Sequence, residues 1–67
     1  MRQYVPGDIL VSSKLGVITV LETLEHHQVK CRVYDKQKVS DSINIFSSWH
    51  LDMMLDIKAY NLHPVKV

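Results

Sequence analysis

At 67 residues the chain is one domain at most, and a domain of that size leaves little room for a self-contained catalytic cleft. Its composition, 46% hydrophobic and 22% charged with two Gly and two Pro, excludes disordered, collagenous and low-complexity classes. Eight Lys and Arg against seven Asp and Glu give a net charge of +1, too little for strong non-specific nucleic-acid binding, which draws on phosphate neutralisation.

In chain order, the N-terminus Met1-Arg2-Gln3-Tyr4 lacks the apolar region of a signal peptide. Pro6-Gly7-Asp8 predicts a turn, since Pro presets φ and Gly accepts positive φ. Ile9-Leu10-Val11 predicts a short buried strand, and Ser12 to Gly16 a loop closing on glycine. Val17 to Leu24 is a second strand of strong β-propensity. Its alternation slips at Val20-Leu21, so either both faces are covered there or a bulge shifts the register. Glu25-His26-His27 is a polar break without glycine and predicts a hairpin loop longer than the tight primed turns.

Gln28 to Tyr34 is the clearest strand. Val29, Cys31 and Val33 share one face, and Gln28, Lys30, Arg32 and Tyr34 the other. After the polar turn Asp35-Lys36-Gln37-Lys38, Ser42 to Phe46 reads as a fourth strand with Ile43 and Ile45 inward. Asp41 would share their face, so the strand is placed from Ser42 onward. Ser47-Ser48 supplies a helix N-cap, and Trp49 and Met53 stand at i, i+4, which predicts a helical turn over about 48–54. Leu51, Met53, Leu55, Ile57 and Ala59 then alternate with mostly polar residues, broken only by Met54, and predict a last strand over about 55–60. A single helix over 48–60 is the alternative. Asn61 to Val67, with Pro64, reads as a tail, loose or paired at an edge.

Five short strands at roughly ten-residue spacing, with one helical turn before the last, predict an all-β fold, a small five-stranded barrel, closed or nearly so. The residues Tyr4-x-Pro6-Gly7-Asp8-Ile9-Leu10-Val11, then Leu15-Gly16-Val17-Ile18-Thr19-Val20-Leu21, resemble the opening of SH3-like small barrels. They are similar to the KOW motif and more so to the start of the CarD-like RNA-polymerase-interacting domain. The resemblance covers residues 4–34, about half the chain. It implies an SH3-like fold and a partner such as RNA polymerase.

Candidate chemistry is sparse. His26-His27 are adjacent and would diverge on a strand, whereas zinc ligands must converge, so the pair reads as a solvated turn and no metal or cofactor is expected. Cys31 lies mid-strand on the apolar face and reads as a small core residue rather than a nucleophile. As the sole cysteine it excludes an intrachain disulfide and fits a reducing cytoplasm. No phosphate loop, Gly-x-Ser-x-Gly or His-Glu-x-x-His motif occurs, so the chain reads as a non-enzyme. Asp52 and Asp56, four apart, read as a solvated helix face. No run of about 18 apolar residues is available to span a membrane.

What remains is a surface. Trp49 reads either as a plug over one open barrel end or as a protein-contact anchor. Lys30, Arg32 and Tyr34 should project together, with Tyr60 and Trp49 beside them. The expected function is a cytoplasmic protein-interaction adaptor, with a strand edge as the expected contact. Two other readings stand beside it. One is weak direct nucleic-acid binding through the Lys30/Arg32/Tyr34 face by base stacking. The other is a homo-oligomer with a shared small-molecule site.

Overall fold

β-Branched and aliphatic runs form the strands, and the turns between them decide which strands meet. The computed structural model describes residues 3–65. The ends of the predicted N-terminal segment and tail, residues 1–2 and 66–67, lie outside the described residues. The elements are β1 (Ile9–Ser12), β2 (Gly16–Leu24), β3 (Gln28–Asp35), β4 (Ser40–Ser47), α1 (Ser48–Asp56), a 3-10 turn (Lys58–Tyr60) and β5 (Leu62–Val65). All pairings are antiparallel, in the order β4-β3-β2-β1-β5.

The protein is thus mostly β, five antiparallel strands in one sheet with one helix. Among the described residues no pairing joins β4 to β5, so hydrogen bonds there do not close the sheet into a ring.

The N-terminal turn forms as predicted. Asp8 N–H donates to the Val5 carbonyl at 3.1 Å, and Val5 N–H donates to the Asp8 carboxylate at 3.0 Å. Gly7 takes φ +98°, a value that L side chains rarely adopt. The turn docks on β2 through Gly7 N–H to the Val20 carbonyl and Val20 N–H to the Asp8 carbonyl. Immediately after Val20 the β2–β3 register shifts, so the slip at Val20-Leu21 is a bulge.

The β2–β3 connection is a three-residue loop, Glu25 to His27, between the paired Leu24 and Gln28, longer than the two-residue primed turns, as predicted. His26 and His27 both have positive φ, 59° and 60°, and Gln28 N–H donates to the Glu25 carbonyl at 3.3 Å. Two consecutive positive φ values resemble a primed turn, set here within a three-residue loop that has no glycine. Histidine is among the residues that enter left-handed backbone more readily than most. The His27 carbonyl then accepts both the N–H and the hydroxyl of Ser48, which ties this turn to the start of α1.

The segment after β4 is also corrected. Residues 55–60 do not form a strand; the helix runs to Asp56, and β5 begins at Leu62. Ser47 caps α1 as predicted, its hydroxyl accepting from His50 N–H at 3.0 Å. The inner stripe is Leu51, Met54 and Leu55, which recur at i, i+3, i+4 as a helix requires. Met54, the residue that interrupts the apparent alternation, is one of these inward residues.

Asn61 ends the 3-10 turn with φ 50°, and the chain then returns along β1 from Leu62 to Val65, so this part of the tail is edge-paired. Buried Ser12 anchors that return. Its hydroxyl donates to the Tyr60 carbonyl and accepts from the N–H groups of Lys14 and Leu15. The core joins Tyr4, Leu10, Ile18, Val20, Val29, Cys31, Leu51 and Leu62. Leu51 brings the helix into it at 0% exposure.

Candidate interaction face

β3 is paired on both sides, so its outward residues stand in the middle of a three-strand surface. Lys30 lies opposite Glu22 and Ile45, Arg32 opposite Thr19 and Ile43, and Tyr34 opposite Val17 and Asp41. Directly opposed residues of antiparallel strands point to the same face. Lys30, Arg32 and Tyr34 therefore share one face, as predicted, with Val29 and Cys31 buried on the other.

The same register overturns the prediction for β4. Ile43 and Ile45 are not inward; they are 52% and 58% exposed on the outer face beside Arg32 and Lys30. Ser42, Asn44 and Phe46 stand opposite the core-facing Val33, Cys31 and Val29. The cause is the four-residue turn Lys36–Val39, which pairs Asp35 with Ser40 and fixes the parity of everything after it. The Asp35 carboxylate holds that turn by accepting from the N–H groups of Gln37 and Lys38. Asp41, which was set outside the strand, belongs to it and faces outward beside Tyr34.

Trp49 is not a plug. It is 67% exposed on the first turn of α1, and Leu51 fills the core position instead. The Trp49 ring stacks on His27, with centroids 6.2 Å apart and planes 18° from parallel. His27 precedes Gln28, which pairs with Ser47, so Trp49 stands at that end of the β3–β4 ladder. Met53, one turn further on, is also exposed. Tyr60 belongs elsewhere: its carbonyl is held by Ser12 at the end of β1, two strands from β3. The structure therefore brings Lys30, Arg32 and Tyr34 together, places Trp49 at one end of their ladder and leaves Tyr60 with β1.

Ile43 and Ile45 are the site residues that sequence reasoning missed. The signal was Asp41: a carboxylate in phase with two isoleucines points to an outward face, unless the strand is shortened to avoid it.

The electrostatics are mild. Among the described residues neither Lys30 nor Arg32 is ion-paired, and the Glu25–His26 contact at 4.0 Å lies in open solvent. Asp52 does not lie on a bare solvated face, because it accepts the hydroxyl of buried Tyr4 at 2.5 Å. Cys31 is fully buried, and that burial pushes its thiol up to about 11, far from a reactive thiolate. Among the described residues no three His, Cys, Asp or Glu side chains gather as metal ligands. No described helix is long and apolar enough to cross a membrane.

Comparison with known proteins finds no family model, no curated protein and no solved structure that matches the chain.

Proposed function

We propose that this chain is an SH3-like small barrel acting as a cytoplasmic protein-interaction module, with the outer β3–β4 face as its docking surface. RNA polymerase, or another protein of a nucleic-acid machine, is the partner class that the CarD-like opening implies. The β5-β1-β2-β3-β4 meander, the β2 bulge and the helix before the last strand support the fold reading. One observation carries the functional reading: Arg32 and Lys30 stand directly beside the exposed Ile43 and Ile45. These half-exposed isoleucines gain roughly 1–1.5 kcal/mol each on full burial, which a partner protein can supply and a phosphate backbone cannot. Arg, Tyr and Trp around them are the residue types that dominate binding hot spots. The face carries Glu22 and Asp41 beside Lys30 and Arg32, so its charges select a partner by local complementarity rather than by net attraction.

The test is binding to purified RNA polymerase, followed by capture from lysate. Arg32→Glu and Trp49→Ala change exposed side chains and leave the fold intact, and each is expected to weaken capture of the same partner about tenfold or more. Equal recovery by both variants overturns the chosen surface. Tight binding to single-stranded nucleic acid that collapses steeply with salt would replace the protein partner with the nucleic-acid one.

A further inference from the structure

The geometry points to a second copy of this chain as the occupant of the open β4 edge, paired antiparallel about Asn44. The inference rests on reading the β3–β4 face as an interaction surface, and it assigns the edge of that face.

β4 is an eight-residue edge strand, and Ser42 to Ser47 carries no charge, Pro or Gly. Natural edges of this length are normally blocked by Lys, Pro or a bulge, because unpaired backbone groups recruit another strand. An isologous contact further requires the strand to be its own complement. Asp41 to Ser47 can pair with itself in this way. Read outward from Asn44, the pairs are Ile43 with Ile45, Ser42 with Phe46 and Asp41 with Ser47.

A two-fold axis normal to the sheet at Asn44 keeps the outer faces together. It sets Ile43 of each copy opposite Ile45 of the other, so four exposed isoleucines become one cluster. Asp41 meets neutral Ser47, and no like charges stand opposed. The Arg32 rows of the two copies lie three strand spacings apart, about 14 Å, beyond the screening length of about 8 Å. An unrelated partner strand would need none of this symmetry.

The edge is ~27 Å long and ~10 Å thick, so the strand contact buries roughly 500 Å² in total, less than half a standard interface. The association is therefore weak, reversible and visible as a mass that depends on concentration.

Sedimentation equilibrium from micromolar to millimolar tests it. The expected result is a mass rising from 7.8 kDa toward twice that value. Ile43→Lys, which adds a charge at an exposed position, is expected to weaken self-association about tenfold or more while its circular-dichroism spectrum stays native. Register is read by oxidation of cysteine variants. Asn44→Cys places two thiols on opposed residues within disulfide reach and is expected to cross-link. Ser42→Cys leaves its two thiols about 14 Å apart and is expected to stay monomeric. A wild-type monomer at every concentration, unchanged association in Ile43→Lys, or cross-linking by Ser42→Cys but not Asn44→Cys overturns the proposal. A monomer that still binds its protein partner overturns self-pairing alone. A dimer whose Arg32→Glu variant keeps that partner overturns the docking-face reading alone.

Discussion

Cys31 and Gly16 show how little slack single positions have in so small a wall. The Cys31 thiol is held at about 11 against its ordinary 9.0 by burial alone, so the folded state binds that proton more tightly than the unfolded chain. Below pH 9.0 both states keep the proton and its contribution to stability is fully present. As pH rises from 9.0 toward 11 the unfolded state ionises first, and stability declines. Urea midpoints measured across that range should fall, and iodoacetamide should label Cys31 only in denaturant. Gly16 has φ +124°, and a Cβ there would stand 1.9 Å from the Tyr34 carbonyl oxygen. Gly16→Ala should cost about 2–4 kcal/mol. A core of this size rarely supplies more than about 3–5 kcal/mol, so the variant should keep little of its stability, read as a large fall in urea midpoint. At this scale the sequence was informative where a residue has one physical reading: a mid-strand Cys among valines, a Gly closing a loop, a Ser before a helix. It was silent where partners lie far along the chain, as with Tyr4 and Asp52, 48 residues apart.

Among the elements, four strands were legible because β-branched runs lie between turn residues. The N-cap was legible too. Ser47→Ala should lower stability by about 1 kcal/mol, measured as a shift in urea midpoint, since His50 N–H then has only water. The extent of α1 was not legible, because Leu51, Leu55 and their neighbours satisfy period 2 and period 3.6 together. Packing against the core decides between them, and Met54 is the residue that only the helix accommodates inward. The orientation of β4 was not legible for a different reason. Period 2 shows which residues share a face, not which face is inside. That choice belongs to the Lys36–Val39 turn, whose length sets the Val33–Ser42 pairing.

For the whole molecule, the outcome of that parity is a sheet with an asymmetric margin. β5 is a short edge of four residues, whereas β4 is a long one with every residue but Phe46 exposed. The helix covers the core side through Leu51, Met54 and Leu55 and leaves Trp49 and Met53 toward solvent. Lys30, Arg32, Ile43 and Ile45 therefore share one face of the sheet, with Tyr34 toward one end of its ladder and Trp49 at the other, while among the described residues no three His, Cys, Asp or Glu side chains gather as metal ligands. The central claim is that Ile43 and Ile45 serve contact rather than the core. The most direct measurement is thermal unfolding of the Ile43→Lys/Ile45→Lys double variant at low concentration, followed by circular dichroism. A cooperative melt within about 8 °C of the wild type is the predicted result, since surface changes usually stay within about 0.5 kcal/mol each. Loss of the cooperative transition, as two charges placed in a core would cause, would contradict it.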